Sequence, residues 1–222
     1  MIRLENVSFS YGDAIALSDI NLNIAKGECV AITGPNGCGK STLLKIINGL
    51  LLPKKGSYHF EDNMVNEDSL KDQSFAKALH QKIGFIFQNS DVQLFCNSVY
   101  EEIAFGPSQM GLADNEIADR VEAMIKLFDI DKLRDRASYY LSGGEKKKVA
   151  LASIMAVNPS VLVLDEPLAS LDKRTGDWLI SFLQELKGTG KTIIIATHDE
   201  RIVDALADRV ITMDDDHKVV NR

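Results

Sequence analysis

The sequence predicts an α/β fold, a mostly parallel sheet covered by helices on both faces, with a helical lobe inserted into it. Three observations carry that reading. Beyond position 158 apolar strand signals alternate with helix signals, the pattern of a two-sided parallel sheet. Near the N-terminus the apolar run "CVAIT" passes through a glycine-rich stretch into "KSTLLKIINGL", a strand, loop and helix in that order. Between these parts, from about 89 to 157, the pattern shifts to helical stripes.

Taken in order, "IRLENVSFSY" and "IALSDINLNI" place apolar residues at near-alternate positions, the mark of half-buried strands. Lys26-Gly27 turns the chain into the strand "CVAIT", and the helix after the loop stops near Gly49. Pro53 breaks the chain before another short strand, "GSYHFED". From Met64 to Gln81 the polar, irregular sequence predicts a surface excursion with one short helix. "KIGFIFQ" is a buried strand ending at Gln88. In "DNEIADRVEAMIKLF" a stripe of Ile117, Val121, Met124, Ile125 and Phe128 predicts an amphipathic helix, and "SGGEKKKVALASIMAV" a second. The remainder reads as strand "SVLVLDE", helix "RTGDWLISFLQELKG", strand "KTIIIATH", helix "DERIVDALAD" and strand "RVITMD". No internal repeat or low-complexity tract interrupts it.

The 222 residues, 45% apolar, suffice for one substantial core. A net charge of −7 argues against broad attraction to nucleic acid. The run "EKKKVA" is a local basic candidate, read first as a solvated helix face. Cys29, Cys38 and Cys96 form no C-x-x-C pair and leave an odd count, so a reducing cytosol is expected. The start "MIRLENVSFSYGD" lacks a long apolar leader core. No apolar run approaches the roughly 18–20 residues of a membrane span, so any membrane role is expected to come through a partner.

The spacing Gly34-x-x-x-x-Gly39-Lys40-Ser41 matches the loop whose backbone N–H groups cradle nucleotide phosphates. Lys40 is expected to reach the β- and γ-phosphates and the Ser41 hydroxyl to ligate Mg²⁺. Such loops serve kinases, GTPases, helicases and transport motors alike. A second metal-side group should be a carboxylate ending a buried strand, and Asp165 closes the apolar run of "VLVLDEP"; an ordinary strand-ending polar residue reads the same way. Glu166 is the candidate to orient and deprotonate an attacking water, or else a turn glutamate before Pro167. In "YYLSGGEKKKVA", Ser142 and Glu145 have the spacing of a capping box. The adjoining glycines, Gly143 and Gly144, let an anion approach the helix N-terminus closely.

With GPNGCGKS and VLVLDEP in the same chain and order, LSGGE resembles the signature of ATP-binding cassette (ABC) ATPases, over nearly the whole chain. That resemblance implies a P-loop NTPase (RecA-like) core with an N-terminal antiparallel β subdomain and an inserted helical subdomain. The expected organisation is a single domain over 1–222, with 1–88 and 158–222 as core and 89–157 as the helical signature part. ATP would be held by Tyr11, stacking on adenine, and by the loop Gly34, Pro35, Asn36, Gly37, Cys38, Gly39, Lys40, Ser41 and Thr42. Ser142, Gly143, Gly144 and Asp172 of "SLD" would act in trans on the opposite subunit's nucleotide. Ser41, Gln88 and Asp165 would organise Mg²⁺. Glu166, His198, Lys40 and Gln88 would form the catalytic set, with His198 the switch histidine at the γ-phosphate. The chain is expected to work as a dimer around two ATP molecules, with itself or with a related ATPase.

"FQNSDVQLFCNSVYEEIAFGP" (87–107) resembles the ATPase subunits of energy-coupling factor (ECF) importers of cobalt, nickel or vitamins such as biotin. The resemblance implies a transmembrane coupling subunit docking there, a membrane solute-binding subunit beyond it, and a place on the cytoplasmic face of the membrane. Asp91, Glu101 and Glu102 would make the groove acidic, suited to guanidinium groups. Two departures stand against longer ECF relatives. The chain stops soon after "ITMDDDHKVV", so their C-terminal extension is expected to be missing. Cys38 replaces a small loop residue, either by size alone or as a thiol activated by loop amides and Lys40. Another ABC transporter class, or a non-transport ABC protein, would keep every core motif. No N-K-x-D motif suggests a GTPase.

Overall fold

The computed structural model describes residues 1–220; the last two positions of the expected core segment, 221–222, lie outside the described residues. Two sheets organise the molecule. In the first, β1 (Ile2–Tyr11) pairs antiparallel with β2 (Ala14–Ile24) and with β4 (Lys55–Phe60), and β5 (Asn63–Met64) extends β4, giving the order β2-β1-β4-β5. Apolar residues alternate inward along β1 and β2, as their sequences require.

The second sheet runs β10-β9-β3-β8-β7-β6, formed by β3 (Cys29–Thr33), β6 (Ile83–Ile86), β7 (Val161–Asp165), β8 (Thr192–Ala196), β9 (Arg209–Met213) and β10 (Val219–Val220). All its pairings are parallel except the terminal β9–β10 hairpin. Every residue of β6, β7 and β8 is buried, because both faces are covered. Successive residues serve different cores. Val161 and Val163 face one with α1 (Lys40–Ile47) and the first sheet, whereas Leu162 and Leu164 face the other. That second core holds residues of α4 (Val99–Gln109), α5 (Asp114–Leu127), α6 (Gly143–Val157), α7 (Lys173–Gly188) and α8 (Glu200–Leu206).

Two sequence expectations need correction. The excursion at 64–81 contains two helices, α2 (Glu67–Lys71) and α3 (Gln73–Lys82), capped by the side chains of Asn66 and Asp72; the capping residues had made the stretch look irregular. Strand β6 ends at Ile86, not Gln88. And the 87–107 stretch, expected as a docking region, contains most of the helix α4, which runs on to Gln109. Ser98 caps this helix, Pro107 lies inside it, and Gly106 permits close approach to α6: a Cβ there would fall 2.5 Å from Val157 Cγ2.

Candidate functional site

The phosphate loop connects β3 to α1, and its glycines are fixed by neighbours. Gly34 (φ +142°) and Gly39 (φ +107°) occupy backbone that side chains rarely adopt. A Cβ on Gly39 would sit 2.1 Å from the Ala16 carbonyl oxygen, and one on Gly34 2.4 Å from that of Met213. The Lys40 ammonium folds over the loop and donates to the carbonyls of Gly34 (2.8 Å) and Pro35 (3.0 Å). A cleft of about 440 Å³ opens in front, lined by Asn36, Gly37, Gly39, Lys40, Ser41 and Thr42 from this loop and by Gln88, Asp165, Glu166 and His198 from strand ends. Tyr11 is half exposed at the loop's flank, its hydroxyl 3.5 Å from Thr42 Oγ1.

Asp165 closes β7 and Ala196 closes the paired β8, so the residues just after both strands meet. Glu166 carries φ +44° and donates its N–H to the Ala196 carbonyl at 2.8 Å. Its Oε2 lies 2.9 Å from Nδ1 of the exposed His198. Asp165 is buried, and its Oδ1 has no hydrogen-bond partner. Burial pushes its carboxyl above the usual carboxylate range, opposed chiefly by a hydrogen bond from Ser41. An orphaned buried carboxylate oxygen beside a serine hydroxyl fits Mg²⁺, which takes few protein oxygens when phosphates supply the rest. Among the described residues no cluster of three or more acidic, His or Cys side chains offers an all-protein metal cage.

Ser142 and Glu145 do form the capping box at α6: Ser142 N–H and Oγ–H donate to Glu145 Oε2 at 2.7 and 2.8 Å, while Glu145 N–H returns to Ser142 Oγ. Those two donated bonds hold the Glu145 carboxyl low. Asp172 caps α7, accepting from Thr175 N–H at 3.0 Å and Thr175 Oγ1–H at 2.8 Å. Ser142, Gly143, Gly144 and Asp172 line their own cavity of about 710 Å³. It shares no lining residue with the phosphate cleft, and a smaller cavity of about 400 Å³ lined by Gln88, Gly143 and Ser170 lies against both sets. The structure therefore gathers the loop, Gln88, Asp165, Glu166 and His198 in one place and the signature residues in another.

The lysine run is not a solvated face. Lys147 is buried, and its Nζ donates to the backbone carbonyls of Phe87 (3.2 Å) and Gln88 (3.3 Å). Burial pushes its ammonium down to about 8, with Asp165 pulling the other way. Lys146 pairs with Asp91 at 2.5 Å, and Lys148 caps the Phe128 carbonyl while lying over the Trp178 ring. Lys147 was missed because three lysines in a row read as surface. Its helical phase was the available signal, one turn before the buried Ala150 and Leu151.

The acidic groove also needs revision. Glu102 is buried, and its Oε2 accepts from Phe95 N–H (2.9 Å) and Cys96 N–H (2.8 Å). Glu101 binds Asn97 N–H, and Asp91 is taken by Lys146. What this surface exposes instead is apolar: Val92, Phe95 and Phe105, the two rings edge to face at 5.0 Å. Cys38 is buried beneath the loop, a poor position for a reagent-accessible thiol.

A parallel α/β sheet with a phosphate loop and a strand-end acid pair defines a nucleoside-triphosphate-binding protein. The family model "ABC transporter" matches residues 17–169. The chain belongs to the ABC transporter family. It is 46% identical to the nickel import ATP-binding protein LarO of Lactiplantibacillus plantarum, covering 99% of this chain and 91% of that one. It is 42% identical to the energy-coupling factor transporter ATP-binding protein EcfA of Methanothermobacter thermautotrophicus, covering 96% of this chain and 68% of that one. Among solved structures it resembles the dimeric, post-hydrolysis state of the ATP-binding cassette MJ0796 bound to ADP and Pi, with TM-score 0.88 and 31% identity over 100% of this chain and 97% of that one. No helix among the described residues is long and apolar enough to cross a membrane.

Proposed function

We propose that this chain is the ATP-hydrolysing subunit of an ECF-type membrane importer, coupling ATP binding and hydrolysis to uptake of nickel, cobalt or a vitamin such as biotin. One observation carries the chemistry: the 2.9 Å approach of Glu166 to His198 at the cleft that also holds Lys40, Ser41 and Asp165. The similarity to nickel-import and energy-coupling-factor ATPases supports the importer reading.

Tyr11 flanks the base, and the loop amides with Lys40 hold the phosphates. Ser41, Asp165 and Gln88 would hold Mg²⁺, which when bound neutralises charge developing on the phosphoryl oxygens. Glu166 aligns a water and takes its proton as the water oxygen bonds to the γ-phosphorus and the bond to the β-phosphate oxygen breaks. His198, held by Glu166, faces the transferred phosphoryl group. Ser142, Gly143, Gly144 and Asp172 complete the nucleotide site of a partner ATPase, so the working unit is a homodimer or a heterodimer. Within each chain, 1–88 and 158–222 form the core and 89–157 the lobe that docks a transmembrane subunit through 87–107, at the cytoplasmic face. The apolar seat of Val92, Phe95 and Phe105 supports that docking, and the acidic composition speaks against nucleic acid.

The test is affinity purification of a tagged Glu166→Gln chain from native membranes in detergent with Mg-ATP, beside phosphate release by the wild type. Recovery of a polytopic membrane subunit and a small membrane-embedded binding protein supports the reading, and the latter identifies the solute. Recovery of soluble partners alone overturns the importer; absence of phosphate release overturns the enzyme.

A further inference from the structure

The β9–β10 hairpin turns through three aspartates into His217, a residue with φ +61°. That left-handed backbone suits glycine, and a histidine there is a departure worth a cause. The turn needs no side chain from it: His217 N–H donates to the Asp214 carbonyl at 3.1 Å, and Lys218 N–H to Asp214 Oδ1 at 2.9 Å. The imidazole points instead to the phosphate loop, with Nδ1 3.2 Å from the Cys38 carbonyl oxygen. A carbonyl only accepts, so Nδ1 carries the proton.

The peptide joining Cys38 to Gly39 is planar and trans, so its C=O and N–H point in opposite directions. His217 holds the oxygen end of that unit. The Gly39 N–H therefore points away from His217, and Gly39 lines the phosphate cleft. The same hairpin abuts the loop a second time where the Met213 carbonyl closes on Gly34. It is anchored to the first sheet by Ser18 N–H, which donates to the His217 carbonyl at 2.9 Å. The hairpin thus joins the antiparallel sheet to the back of the loop, and His217 makes both connections.

We propose that His217 is a positioning residue of the phosphate loop, holding the Cys38–Gly39 peptide so that its N–H is presented to the nucleotide phosphates before they arrive. The proposal rests on the ATP-site reading above. It predicts that the imidazole contributes to nucleotide affinity and not to the stability of the turn.

Two variants of the full chain separate these roles, with ADP binding followed by calorimetry and melting followed without nucleotide. His217→Gly removes the ring and suits the left-handed backbone, so its melting temperature should hold or rise while ADP binds about three- to tenfold more weakly, the span of one neutral hydrogen bond. His217→Phe keeps a ring of similar size without the N–H and should lose the same affinity. Wild-type ADP affinity in His217→Gly, or retained affinity in His217→Phe alone, overturns the proposal. A wild-type chain that binds no nucleotide overturns the site reading and this proposal together.

Discussion

From within α6, Lys147 reaches the Gln88 backbone: its Nζ donates to the Gln88 carbonyl at 3.3 Å and to that of Phe87 at 3.2 Å. The helix that opens at Ser142 is thereby tied to the residue that lines the phosphate cleft. Lys147→Met should cost about 1 kcal/mol, since it removes the donor shared by two part-buried carbonyls. Denaturant melts measure it. The variant also has a pH signature. In the folded chain this amine loses its proton near 8, well below its unfolded value of 10.5. Between those values the unfolded state binds the extra proton, so the lysine's contribution to stability rises with pH. Wild type minus Lys147→Met should therefore gain stability from about pH 8 upward; a flat difference contradicts the buried charge.

Glu166→Gln keeps the shape of the cleft but removes the proton acceptor. Turnover should fall about 10²–10⁴-fold with ATP affinity preserved. His198→Ala should lower kcat with little change in nucleotide affinity, since His198 meets Glu166 rather than the loop. Phosphate release and calorimetry on both variants check this pattern.

Gly39→Ala should abolish nucleotide binding. Its Cβ would fall 2.1 Å from the Ala16 carbonyl at a φ of +107°, so either the loop or β2 must shift. A stability loss of about 2–4 kcal/mol is expected from such strain, read as a lowered melting temperature.

Glu102 and Glu101 should part company. Glu102→Ala leaves the Phe95 and Cys96 amides without their acceptor and should cost about 2 kcal/mol. Glu101→Lys, at an exposed site in the first turn of α4 where it accepts from Asn97 N–H, should cost less, about 1 kcal/mol. Phe95→Asp should leave ATP hydrolysis intact but abolish membrane recruitment, measured by flotation with native membranes; unchanged recruitment contradicts the apolar docking seat.

The native thiols should resist alkylation near neutral pH. Cys29 and Cys38 are buried, and the Cys29 and Cys96 thiols are raised to about 11, chiefly by burial. Timed labelling and mass mapping, native against denatured, test this; rapid native labelling of Cys38 would restore the reactive-thiol reading.

The strands of the central sheet were legible because burial on both faces demands unbroken apolar runs, as in "VLVLD" and "TIIIA". The phosphate loop was legible because its glycine spacing answers to geometry. The meeting of Glu166 with His198 needed strand order, which periodicity does not encode: β7 and β8 had to be neighbours. Lys147 and Glu102 were hidden for a different reason. Each is a charged residue whose partners are backbone atoms, and a backbone partner leaves no mark in the residue pattern. Helix α4 carries a glycine that serves packing and a proline that the helix accommodates, neither of which a helical stripe announces.

The left-handed backbone of Glu166 sets two selection pressures against each other. Glycine or asparagine would suit φ +44° better than glutamate does, so a screen rewarding heat resistance alone should favour replacing the residue assigned to activate water. Populations freed from the need to transport would be expected to drift there early. Glutamate at 166 thus stands in a position that folding by itself would give to another residue.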